Sequence, residues 1–171
     1  MKKQKEKQQK KQHDLNRGKE NNCFYPSEKE AKEAILDIGQ RMYVRNFVAA
    51  NDGNISIRTG ENEVWATPTG VSKGFMNKKM LVKVDLQGNV LEGTHKPSSE
   101  LKMHLRAYQE NPDLRSVCHA HPPICTSFSI AGIPLDVPVL AEAVITLGDV
   151  PIAPYALSLI HISEPTRPIS I

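Results

Sequence analysis

Apolar side chains return at helical spacing soon after Pro26. Ala31, Ala34, Ile35, Ile38 and Met42 recur three or four residues apart, which places them along one face of a helix. Ser27 opens this segment with Glu30 three positions on, the pair that caps a first helical turn reciprocally. The spacing predicts a helix from about Glu28 to Asn46. The period then shortens to two. Ile55-Ser56-Ile57-Arg58 alternates, Thr59-Gly60-Glu61-Asn62 reads as a turn, and Glu63-Val64-Trp65-Ala66-Thr67 reads as the returning strand of a β-hairpin. A third strand over Leu81–Asp85 turns at Gln87-Gly88-Asn89 into Val90-Leu91-Glu92. Helical spacing reappears at Leu101, Leu105 and Tyr108. That helix starts near Ser98 or Ser99 and stops before Asn111-Pro112, because the residue preceding a proline is driven out of helical space. Val117–His121 reads as a further strand, and Ile124–Ile130 as a short helix behind Pro122-Pro123. Antiparallel strands with interspersed helices predict an α/β domain of the layered α+β kind, a central, mostly antiparallel sheet flanked by helices.

Composition sets the bounds of that domain. A chain of 171 residues fits one domain, and 39% hydrophobic with 24% charged residues is the make-up of a water-soluble fold. No apolar run approaches a membrane span, and no apolar stretch follows the N-terminal positive residues, so neither a membrane anchor nor a secretory signal is expected. Cys23, Cys118 and Cys125 are odd in number and form no Cys-x-x-Cys pair, the usage of a reducing cytoplasm.

Charge is unevenly spread. Residues 1–22 hold eight Lys/Arg against three acids, a local charge of +5 within a whole-chain charge of +3, so the remainder carries about −2. This nearly apolar-free segment reads as a disordered basic tail. Residues 23–156 form the folded domain, which has no electrostatic reason to bind nucleic acid. Leu157–Ile171 has neither helical nor strand periodicity and closely resembles a translated sequencing adapter. It is set aside from fold reasoning together with His161, and the natural gene is expected to diverge just after Tyr155-Ala156.

The candidate chemistry begins at Ser116-Val117-Cys118-His119-Ala120-His121-Pro122-Pro123. Positions two apart in a strand share a face, so His119 and His121 point together, away from Cys118 and Ala120. Two imidazoles on one face make half of a metal site. Glu100 lies upstream, in Lys96-Pro97-Ser98-Ser99-Glu100. It reads either as a helix-start carboxylate or as a catalytic base. Small and hydroxyl residues gather at Asn51-Asp52-Gly53-Asn54, Thr67-Pro68-Thr69-Gly70 and Pro97-Ser98-Ser99-Glu100. Such turns and helix starts expose N–H groups suited to phosphate, and each alone is also ordinary turn chemistry. His104, beside Leu101 and Leu105, reads as structural or surface, and His95 and His13 carry no local context.

The order AspGlyAsnIleSer, ThrProThrGly, ProSerSerGlu, HisAlaHisPro, AlaProTyr resembles the class II aldolase/adducin family over residues 28–156. The resemblance implies that family's three-layer sandwich, incomplete here at the C-terminus. It implies one zinc ion per subunit, held by His119, His121 and Glu100, with a third histidine beyond Tyr155. Glu100 is implied as catalytic acid/base, and Gly53, Asn54, Thr69, Gly70, Ser98 and Ser99 as the surroundings of a substrate phosphate. The implied reaction is retro-aldol cleavage of a ketose phosphate to dihydroxyacetone phosphate and an aldehyde, in a cytoplasmic homotetramer with sites between subunits. A tyrosine that the family's aldolases lend from the adjacent subunit aligns near Leu140, with Glu142 two positions on. The polypeptide itself is expected to be inactive, since two protein imidazoles seldom hold a catalytic zinc. Three alternatives stand beside this one. A sugar-phosphate 4-epimerase typically has Asp where Glu100 stands. A thioribulose-phosphate dehydratase shares the site architecture. An adducin-like interaction module would lack the histidine pair.

Overall fold

The computed structural model describes residues 25–137, 140–148 and 150–153. The basic segment 1–22 and the segment 157–171, with His13, Cys23, Tyr155 and His161, lie outside the described residues.

Helix α1 (Glu28–Val44) begins as its sequence dictates. The Ser27 hydroxyl accepts the Glu30 backbone N–H, and the Glu30 carboxylate accepts the Ser27 N–H at 2.8 Å. The reciprocal pair satisfies donors that the first turn leaves without helical partners. The helix ends before the expected Asn46, which adopts the left-handed conformation with φ 56° and turns the chain away.

Five strands follow: β1 (Asn54–Gly60), β2 (Glu63–Ala66), β3 (Val82–Val84), β4 (Val90–Glu92) and β5 (Ser116–His119). They form one sheet in the order β4-β3-β2-β1-β5, each neighbouring pair antiparallel. The helices are α2 (Leu101–Glu110), α3 (Pro123–Ile130) and α4 (Ala141–Thr146), with 3-10 turns at Lys73–Phe75 and Lys78–Met80. The sequence reading ended its elements at Ile130 and missed α4, whose six residues are too few to show a helical period.

Successive strand residues serve opposite cores. Ile55, Trp65 and Leu81 pack with Ala31, Ile35 and Met42 of α1 on one face of the sheet. Val64, Ala66, Val82 and Val84 pack with Leu101, Leu105 and Tyr108 of α2 on the other. Trp65 therefore faces α1 while its neighbours Val64 and Ala66 face α2, the two-residue strand period made visible. The result is three layers, helix, sheet and helix. Each large side chain buried this way contributes about 1.5–3 kcal/mol relative to exposure. His104, on α2, is buried and bonded inside the second core, so its role is structural and not superficial. Among the described residues, no helix is long and apolar enough to cross a membrane.

Strand β5 lies beside β1 with Asn54 opposite His119, Ile55 opposite Cys118 and Ser56 opposite Val117. The expected strand ran on to His121. It stops at His119 because Asn54 is the first residue of β1 and the ladder has no further partner. His121 is held instead by its backbone N–H, which donates to the Phe47 carbonyl at 2.8 Å.

Candidate active site

The sheet edge rung Asn54–His119 and the start of α2 meet at one point. Glu100 is the N-cap residue of α2, and its carboxylate reaches the rung. The Asn54 side-chain amide donates to Glu100 Oε2 at 2.6 Å, and His119 Nδ1 stands 3.1 Å from the same oxygen. His119 Nδ1 is also 3.3 Å from Asn54 Nδ2, but it cannot accept from the amide and donate to the carboxylate together. A proton on Nδ1 serves the carboxylate and leaves the Nε2 lone pair free for a ligand. Burial pulls the His119 pKa below its ordinary value, and the Glu100 charge opposes that pull. The His121 ring lies beside His119 with centroids 4.8 Å apart and planes tilted by 51°.

A cleft of about 220 Å3 opens against this cluster. Gly53, Asn54, Thr69, Gly70, Ser98, Ser99, Glu100 and His121 all line it, and His119 adjoins it through its contacts with Asn54 and Glu100. Three turns far apart in sequence thus share one wall. Their assembly has a physical cause. Thr67 N–H donates to the Ile55 carbonyl, tying the ThrProThrGly turn to β1. Thr69 N–H donates to the Lys96 carbonyl at 2.9 Å and Ser98 N–H to the Thr67 carbonyl at 3.2 Å, around an isolated bridge between Pro68 and Pro97. Gly53 is demanded by both conformation and space. Its φ is +71°, and a Cβ there would sit 2.5 Å from the Val48 side chain and 2.8 Å from the His119 carbonyl.

A second polar layer lies behind the first. His104 Nδ1 and Tyr108 Oη each lie 2.8 Å from Ser56 Oγ, and Tyr108 donates its single hydroxyl proton to the Ser56 carbonyl at 3.0 Å. That proton being committed, Ser56 donates to Tyr108 and His104 Nδ1–H donates to Ser56. His104 Nε2 is then a buried acceptor without a partner among the described residues, as is Asn54 Oδ1. Burial, and secondarily the nearby His119, push the His104 pKa down to about 4. Burial pushes the Tyr108 hydroxyl up to about 12.

Sequence reasoning placed Asn51, Asp52 and Pro68 within the candidate phosphate turns without singling them out as site residues, and missed Lys73 altogether. Asn51 and Asp52 had a signal, since they flank Gly53 in the same turn. Lys73 had none, because one lysine in a polar stretch says nothing of burial. Leu140 and Glu142 lie beside and on α4, outside the cleft lining.

The donor set is of the kind that holds zinc, two imidazoles and a carboxylate. The adjacent rings and the free His119 Nε2 fit such an ion as a half-site. Among the described residues no three His, Cys, Asp or Glu side chains are grouped closely enough to hold a metal by themselves.

Known proteins resemble this chain over the same span. An L-fuculose phosphate aldolase from Methanococcus maripaludis is 44% identical over 95 residues, covering 56% of this chain and 51% of that protein. A 3-oxo-tetronate 4-phosphate decarboxylase from Pectobacterium atrosepticum is 30% identical over 133 residues, covering 75% of this chain and 61% of that protein. The solved structure of YgbL from Klebsiella pneumoniae superposes with a TM-score of 0.71 at 30% identity, over 77% of this chain and 65% of that one. The chain spans about half the length of the aldolase it matches. Residues 33–165 match the model of the class II aldolase and adducin N-terminal domain, and the chain belongs to that family.

Proposed function

We propose that the protein is a zinc-dependent aldehyde-lyase. It would cleave a ketose phosphate, by retro-aldol reaction, into dihydroxyacetone phosphate and an aldehyde. The observation that supports this reading best is the meeting of Glu100, His119 and His121 with a polar cleft built from three glycine- and hydroxyl-bearing turns. His119, His121 and Glu100 would hold one zinc ion per subunit, the remaining ligand coming from outside the described residues. Bound there, the ion supplies a Lewis acid for the carbonyl oxygen of the substrate.

The chain's own groups do the rest. The turns that carry Gly53, Asn54, Thr69, Gly70, Ser98 and Ser99 take the phosphate, through the N–H groups they leave free and, at Thr69 and Ser98, whose N–H groups are committed to carbonyls, through the side-chain hydroxyls, and so fix the orientation of the sugar. Glu100 moves the proton that carbon–carbon cleavage requires, and the Asn54 amide holds its carboxylate in place. Homotetramer assembly and a cytoplasmic setting complete the reading. With two imidazoles at the site, the 171-residue chain is expected to bind zinc weakly and to turn over slowly or not at all.

The test is a panel of ketose 1-phosphates offered to a version of the chain extended to the length of its relatives, with and without zinc, read by coupled detection of dihydroxyacetone phosphate. Zinc-dependent release, abolished by Glu100→Gln, is the expected outcome. A full-length protein that takes up zinc but releases no triose phosphate from any ketose would sink the lyase reading.

A second reading is decarboxylation of a 3-oxo acid phosphate. The decarboxylase relative supports it by aligning with 75% of this chain, against 56% for the aldolase. Carbon dioxide released together with dihydroxyacetone phosphate from a 3-oxo-tetronate 4-phosphate, with no aldehyde formed and no triose phosphate released from any ketose 1-phosphate, would favour it. The epimerase reading is less well supported, since Glu100 stands where the epimerases typically have Asp, and the dehydratase reading, which shares the site architecture, stays open.

A further inference from the structure

Lys73 is a lysine with 2% of its surface exposed, at the border of the cleft. Its ammonium donates to the Val71 carbonyl at 2.7 Å and to the Asn51 carbonyl at 3.0 Å. Those carbonyls belong to two different walls. Val71 adjoins Thr69 and Gly70, and Asn51 begins the turn that carries Gly53 and Asn54. One amine therefore spans both turns.

The backbone beneath that amine is fixed by α1. A Cβ on Gly39 would fall 2.8 Å from the Lys73 carbonyl, and one on Gly74 would fall 2.5 Å from the Tyr43 ring. Tyr43 and Phe75 meet edge to face at 5.1 Å. The turn Lys73–Phe75 thus lies flush on the helix, and the lysine side chain extends from it as a strut.

Its charge is poorly balanced. No ion pair to Lys73 is found among the described residues, although Asp52 is near enough to oppose in part the lowering that burial imposes on its pKa. A buried cation held by neutral carbonyls is costly unless a counter-charge arrives. Two of its three protons are committed, leaving one. It is the only lysine or arginine among the described residues lining the cleft.

We infer that Lys73 is a positioning residue for the phosphate end of the ligand, tying the Asn51–Asn54 and Thr69–Val71 turns at the spacing their N–H groups need and balancing its own charge against the incoming anion. This rests on reading the cleft as a phosphate pocket.

Inorganic phosphate is the probe, titrated into the 15N-labelled full chain and followed by NMR. The Gly53 and Gly70 amides and the Lys73 Nζ resonance should shift together with a single apparent Kd. In Lys73→Met, phosphate affinity should fall by at least about tenfold, the loss of one charge-assisted contact. Cobalt(II) binding at His119 and His121 should stay unchanged. Lys73→Met binding phosphate as the parent does would overturn the role of Lys73 and leave the pocket standing. Should that variant fail to fold, the parent decides the matter. Gly53 and Gly70 moving while the Lys73 Nζ resonance stays still would overturn the inference. No phosphate response anywhere in the parent would overturn both the inference and the pocket.

Discussion

Glu100 receives an amide proton from Asn54 and faces an imidazole nitrogen of His119, so its orientation is set by two neighbours. Groups that orient a metal-site ligand typically carry about tenfold to hundredfold of the activity. On the proposed lyase reading, Asn54→Ala should therefore lower turnover by that amount while zinc content, read by metal analysis, is retained. His104 makes a different prediction. Folded, it titrates near 4, against an ordinary value of 6.5. Above about pH 6.5 both states are neutral and its contribution is complete. Between 6.5 and 4 the unfolded chain takes up a proton that the folded chain refuses, so stability falls, by about 3 kcal/mol at most. Urea midpoints measured across that window should drop with pH, and His104→Gln should flatten the slope. His119 was legible because strand alternation is local arithmetic, whereas His121 lies beyond the strand and reaches its neighbour's side through the bond to the Phe47 carbonyl. Lys73 and the Ser56–His104–Tyr108 network were not, because burial is decided by segments far away in sequence.

At the scale of elements, caps and close approaches carry the predictions. Ser27→Ala removes one half of the α1 capping box and should cost about 1 kcal/mol, seen as a lower denaturant midpoint with an unchanged slope. Gly39→Ala forces a methyl group against the Lys73 carbonyl and should cost about 1–3 kcal/mol. It should also weaken phosphate binding, since it pushes on the turn that carries the strut. Helices α1 and α2 were legible from their period. Their ends, and that of β5, were not. The ladder ends at His119 only because β1 begins at Asn54, and no property of His121 announces this.

For the molecule as a whole, antiparallel strands interspersed with helices forecast a layered domain with a sheet flanked by helices, and the two cores show that layering. The order of strands was hidden, since β5 crosses the structure to join β1, and crossovers leave no local trace. Beyond the sheet, the chain leaves much apolar surface open. Ile124 is 73% exposed, Ile130 84% and Ile145 86%. Surfaces of this kind drive association. The 171-residue chain should sediment above its monomer mass, and the double variant Ile130→Glu, Ile145→Glu should shift it toward monomer in analytical ultracentrifugation.

The rung that pairs Asn54 with His119 has a chemical meaning beyond its geometry. Sliding β5 by a single position would exchange the two sides of that strand. Cys118 would then be offered to Asn54 and Glu100, a thiol in place of an imidazole, and His119 would be driven toward the methionine that Cys118 now touches. Strand alignment here selects which functional group the cleft presents, so a hydrogen-bond ladder four residues long decides the reactivity of the pocket as much as the identity of its side chains does.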